Sequence, residues 1–183
     1  MNEVNKPIAG AHWFIDENKS NGLMLIVVEV PPSSVGSCRA QMAKLAKEAP
    51  RKGGTIHFHR ELDGTRSKVL RKIATFPVQC NVIHVPHTVK PVPARERVVK
   101  HVGRQAKIDR PHRIVFELDE AAVVNDRKWL SSELPKSVGI EYQHLPASAD
   151  PMLWIPDAVA WAIQRGGQWR AMIENVIVTE VWL

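Results

Sequence analysis

At 183 residues the chain has room for one domain with a real hydrophobic core and too little for two. Apolar residues at 44% and charged residues at 24% are the proportions of a soluble globular protein, and no apolar run approaches the roughly 20 residues a membrane helix needs. The formal net charge of +6 leans toward a polyanionic partner, most simply DNA or RNA.

Residues 1–10 are polar and lack the apolar centre of a secretory signal, so a flexible tail is expected ahead of a single domain over 11–183. Residues 11–16 and 23–30 read as strands flanking the polar turn Asn18 to Gly22, a hairpin signal. Pro31 and Pro32 stop the second strand, and Met42, Leu45 and Ala46 lie at helical spacing within 35–48. A basic loop follows, and the alternation over 55–59 reads as a short strand. Asp63 or Thr65 caps a helix running to about residue 75, and 78–85 is a further strand. A helix over 94–107, a strand over 113–118, a short helix over 126–134 and a strand over 140–145 come next. An apolar helix spans 151–165, and 169–183 is partly helical and then strand-like. The order predicts an α/β protein: a mixed sheet with an antiparallel start and helices on its faces. Cys38 and Cys80 lack the spacing of a metal site and read as free thiols of a reducing, cytoplasmic compartment.

Carboxylates recur where apolar elements end. Asp16 closes the first strand, where it either opens the turn or serves as a first metal ligand. Glu117 and Asp119 follow the strand over 113–118, and period two places both on one face. Asp157 is a lone acid in a nearly continuous apolar helix, so it needs a cation, an arginine such as Arg165 or Arg170, or a hydrogen-bond network. Hard divalent cations take oxygen ligands from carboxylates on separate elements, so Asp16, Asp119 and Asp157 are expected to converge on Mg²⁺ or Mn²⁺.

These marks resemble a group of ribonuclease H-like proteins of unknown function. Its members open on Tyr/Phe-hydrophobic-Asp-Glu-Ser-Gly and close on a helix with an Ala-Asp-containing apolar signature. Phe14, Ile15, Asp16, Glu17 and Asn18 stand at the start here, and Trp154 to Ala162 with Asp157 near the end. His57 looks like the group's central histidine. Asn18 stands where the group has Ser, Thr55 where it often has Glu, and Pro156 where it has Ala. The resemblance implies a ribonuclease H-like mixed sheet with helices on both faces and, by analogy, metal-dependent phosphodiester hydrolysis. Asp16, Asp119 and Asp157 would be the metal ligands, with Glu117 or Glu61 as a supporting acid. The contrasting reading is a catalytically inactive ribonuclease H-like module that binds nucleic acid or protein.

His57 and His59 share a strand face, and His57 could orient or protonate near a scissile phosphate. With His84 and His87 they lack accompanying cysteines and regular spacing, so zinc is not expected. Arg97, Lys100 and Arg104 line one face of the helix over 94–107, as a solvated row or as a phosphate-tracking one. Arg51 and Lys52 before Gly53 and Gly54 suggest a phosphate-contacting loop, without the pattern of a nucleoside triphosphate site. Among six tryptophans, Trp154 and Trp161 share a helix face; core packing explains them, and a partly exposed tryptophan could stack on an unpaired base.

Overall fold

The hairpin lies at the centre of a six-stranded sheet. The structure, a computed structural model, describes residues 6–49 and 55–183. β1 (His12–Asn18) pairs antiparallel with β2 (Leu23–Val30), and β2 pairs antiparallel with β3 (Gln79–Val85). β4 (Arg113–Glu117) adds to β1 in parallel, and β5 (Glu141–Leu145) adds to β4 in parallel. β6 (Ile177–Trp182) runs parallel to β3 at the other edge, giving the order β5-β4-β1-β2-β3-β6. Every residue of β2 is buried, as a central strand covered on both faces requires.

Alternation divides the sheet's side chains into two cores. Phe14, Ile26, Val28, Val82 and Val115 face α1 (Pro32–Glu48), α2 (Asp63–Ile73) and α5 (Trp154–Arg165). Trp13, Ile15, Leu25, Val27 and Phe116 face α3 (Pro91–Asp109) and α4 (Val123–Glu133). α6 (Gly167–Ala171) then leads to β6. Helices therefore cover both faces, as the alternation predicts. Pro32 and Pro91 open α1 and α3 within the first turn, where proline's missing N–H costs nothing, so both helices start about three residues before their apolar spacing does.

Two glycines fix close approaches. Gly22, in the β1–β2 turn at φ +86°, leaves no room for a Cβ, which would lie 2.5 Å from the Val85 carbonyl oxygen. The turn is thus pressed onto the end of β3. A Cβ on Gly103 would lie 2.6 Å from that of Glu133, which lets α3 and α4 pack closely.

The strand expected over 55–59 does not form. Thr55 to His57 have no regular structure, and Phe58–Arg60 is a turn of 3₁₀ helix. Its polar groups find side chains instead of a neighbouring strand. The Phe58 N–H donates to Asp157, and the carbonyls of Phe58 and His59 accept from the Arg66 guanidinium. Ile56 and Phe58 are both buried, which is why the segment looks strand-like in sequence. Of the expected N-terminal tail, residues 1–5 lie outside the described residues. The Ile8 N–H donates to Glu29, and its side chain packs on the second core.

Candidate active site

Asp16 and Glu117 meet because of register. β1 and β4 pair in parallel with Ile15 opposite Phe116, so the next residue on each strand is a carboxylate. Both belong to the side-chain set that faces α5. Asp157 lies in the first turn of α5, which packs across β1 and β2. Its Oδ2 accepts from the Phe58 N–H at 3.1 Å. The 3₁₀ turn that supplies this N–H is held by Arg66, whose guanidinium carbon lies 4.5 Å from the Trp161 ring centre, and by Phe58, edge-on to Trp161 at 5.2 Å. Trp161 thus serves to hold a loop of the site, and Trp154 is buried with its indole N–H on the Ala147 carbonyl.

The three carboxyls line an open cleft of about 430 Å³, with His57, His59 and the rim residues Lys19 and Asp119. Burial pushes Asp16 well above the usual carboxylate range, and the charges of Glu117 and Asp157 add to the shift. Burial, with Asp157 and Glu17 nearby, pushes Glu117 up to about 7. Asp157 is also raised by burial, against the Phe58 hydrogen bond and the nearby His59 and His57. No arginine or lysine pairs with any of the three among the described residues; Arg170 is engaged by Glu174 and Glu180.

Asp119 is placed differently. β4 ends at Glu117, and Asp119 begins the turn into α4, its Oδ1 accepting from the Ala121 N–H at 3.0 Å. Lys19 Nζ lies 2.7 Å from its Oδ2, and Arg95 lies 3.7 Å away. The Lys19 hydrogen bond holds its carboxyl below the usual range. Glu17 projects from the opposite face of β1 to Asp16 and pairs with both Lys19 and Arg95. Arg95 in turn binds Asp126 at 2.8 and 2.7 Å. This network escapes a reading by motif. Its signal is a cation at apolar helical spacing with Val98, Val99 and Val102 in α3.

The other candidates lie as follows. His57 is exposed on the cleft. Glu61 is buried outside the lining, with Oε2 lacking a hydrogen-bond partner among the described residues. Arg97 is exposed on α3, Lys100 pairs with Glu96 at 2.6 Å and Arg104 with Glu133 at 3.4 Å. Arg51 and Lys52 lie outside the described residues. His84 pairs with Glu180 and stacks on Trp182, away from the cleft. Cys38 and Cys80 are free and buried.

Among the described residues, no three His, Cys, Asp or Glu side chains are grouped tightly enough to ligate an ion as they stand. The fit to a divalent cation is one of donor chemistry. Three hard oxygen donors from β1, β4 and α5 share a cleft without a lysine or arginine partner among the described residues, and Mg²⁺ or Mn²⁺ takes that donor type.

A mixed sheet of this order, covered by helices and bearing acids at the ends of neighbouring strands, is a ribonuclease H-like α/β fold. A chain in the structure of the PCNA:RNase HII complex from Archaeoglobus fulgidus superposes on 85% of this chain and 73% of its own length, with a TM-score of 0.56 at 12% identity. A glutamine-to-alanine mutant of Bst-RNase HIII matches over 92% of this chain and 54% of its own, with a TM-score of 0.47 at 11% identity. Bst-RNase HIII in complex with Mn²⁺ gives a TM-score of 0.35 at 10% identity over 96% of this chain and 68% of its own. No family model and no curated protein matches the sequence. No helix of the described residues is long and apolar enough to cross a membrane.

Proposed function

We propose that the chain is a metal-dependent nuclease that hydrolyses phosphodiester bonds in the cleft of Asp16, Glu117 and Asp157. The observation that carries this reading is three carboxyls that share one cleft without a lysine or arginine partner among the described residues, while the neighbouring acids Glu17 and Asp119 are neutralised. In this reading Glu117 takes the ligand place expected of Asp119. Asp16, Glu117 and Asp157 would hold Mg²⁺ or Mn²⁺, which would supply positive charge against the scissile phosphate and lower the pKa of an attacking water. The chain's own groups do the positioning. The Phe58 N–H fixes the Asp157 carboxylate, and Lys19 and Arg95 hold Asp119 and Glu17 at the rim. His57, exposed beside the acids, can hold a proton for the leaving oxygen.

The test is cleavage of single-stranded, duplex and hybrid nucleic acids with Mg²⁺ or Mn²⁺, by the wild type and by Asp16→Asn. Wild-type cleavage that needs the metal and vanishes in the variant is expected. The contrasting reading, an inactive binding module, draws on the loose grouping of the acids. It predicts binding without cleavage on every substrate.

A further inference from the structure

A second pocket adjoins the acid cleft. It holds about 420 Å³ between the β1–β2 turn, the start of α3 and the outer face of α4, within the range of small-molecule sites. Lys19 and Asp119, joined at 2.7 Å, line both spaces and form the wall between them. The two are therefore compartments of one depression at the end of the sheet where Asp16 and Glu117 emerge.

The lining is mostly apolar with a polar margin. Leu23 and Ala94 are buried, Trp129 is half-buried, and Val92 is 59% exposed in the first turn of α3. His87 and Asn125 are exposed on the same lining. A half-covered indole, aliphatic surface and side chains that hydrogen-bond at the margin match a flat heterocycle with polar edges. The ammonium of Lys19, 58% exposed by side chain, stands on the wall that a phosphate linking the two compartments would cross.

We propose that this pocket takes one unpaired nucleobase of the strand whose phosphodiester lies at Asp16, Glu117 and Asp157. The proposal rests on the nuclease reading for the identity of that strand. Continuity with the acid cleft favours a nucleic acid over a peptide side chain. Concavity favours an unpaired base, because a base stacked in a duplex cannot enter a recess without being unstacked. The pocket therefore assigns the substrate class: a single strand, or a duplex with a loosened base beside the bond to be cut.

The test is fluorescence anisotropy with the full chain in EDTA, where metal-dependent cleavage does not interfere. The probes are a labelled single strand of about 12 adenylates, a strand of equal length built of abasic residues, and the duplex of the first. Trp129→Ala is expected to weaken binding of the adenylate strand about tenfold, the loss typical of one stacked base, and to leave the abasic strand and the duplex unchanged. Ala121 is exposed on the lining, so Ala121→Leu narrows the entrance without disturbing the core and serves if the tryptophan variant folds poorly. It should give the same pattern at several-fold. Equal affinity of variants and wild type for the adenylate strand overturns the proposal, as does an equal loss on base-bearing and abasic strands. Mn²⁺-dependent stabilisation of the wild type reports on the acid cleft separately. If it is present while Trp129 has no effect, the pocket assignment falls and the acid site stands. If it is absent while the base-dependent loss persists, the pocket stands and the nuclease reading falls.

Discussion

Replacing Glu117 by Gln should stabilise the metal-free protein at alkaline pH and leave it nearly unchanged at acidic pH. Glutamine keeps the shape of the side chain and removes its charge. A carboxyl whose folded pKa lies above its unfolded value binds its proton more tightly in the folded protein. Its cost is therefore absent at low pH, grows as pH climbs from 4.5 to about 7, and is complete above that. At 1.36 kcal/mol per decade the span corresponds to about 3 kcal/mol. Glu117 borders an open cleft, and solvent screening reduces the figure to roughly 1.5 kcal/mol. For a chain of this size that is a Tm difference of about 3 to 6 °C. The assay is urea unfolding of both proteins in EDTA, at about pH 8 and about pH 4.5, where the advantage should shrink to a few tenths of a kcal/mol. Adding Mn²⁺ at pH 8 should reverse the order, because a ligand that binds only the folded state stabilises it and the variant offers one donor fewer. A variant that is less stable than the wild type at pH 8 in EDTA, or shifted equally at both pH values, would refute the account of Glu117 as a crowded, uncompensated acid.

Arg95→Met should cost about 3–5 kcal/mol, because it leaves the buried Asp126 carboxylate without its guanidinium, and Arg95→Met combined with Asp126→Asn should recover much of the loss; chemical denaturation of the two variants decides. Burial pushes Asp126 up, but the Arg95 hydrogen bonds and His144 hold it below the usual carboxylate range, so this contribution is present above about pH 4 and is lost as pH falls below it. Replacing Arg97, Lys100 and Arg104 together by Gln should lower the salt slope of nucleic-acid binding by about one and not by three, since Lys100 and Arg104 are already paired with Glu96 and Glu133. A slope reduced by three, measured by titration at several salt concentrations, would show that these pairs open on binding.

Much of this architecture is legible in the chain. The hairpin follows from two apolar runs about a polar turn, and the helices α1, α3 and α5 are placed by helical spacing and proline stops; the two-sided burial of β2 goes with its continuous apolar run. Asp16 and Asp157 are visible because a carboxylate at the end of, or inside, an apolar run demands a reason. The choice between Glu117 and Asp119 is not visible. Period two treats them alike, and the decision is made by where β4 stops and by Lys19, which reaches Asp119 from the hairpin turn. The partner of Asp157 is equally hidden, because a backbone N–H leaves no mark in sequence. The same contact, with Arg66 on the carbonyls, converts an alternating segment into a 3₁₀ turn.

The sheet also partitions charge, and this is the strongest argument that the acid cluster has a use. Asp16 and Glu17 are neighbours, so the pleat sends them to opposite faces. On the α3 face the chain provides Arg95 and Lys19, and Glu17, Asp119 and Asp126 are all paired. On the α5 face the described residues provide backbone N–H groups and the nearby His57 and His59 but no paired lysine or arginine, although the net charge of +6 means that cations are not scarce. One arginine on α2 or α5 within reach of Asp16 would relieve a cost of several kcal/mol in crowded, desolvated carboxyls. Arg66 lies close by, yet its guanidinium is spent on two backbone carbonyls and Asp63. Among the described residues, three acids without a lysine or arginine partner stand one residue away from a network that neutralises their neighbours, an arrangement that the proposed metal ion would complete.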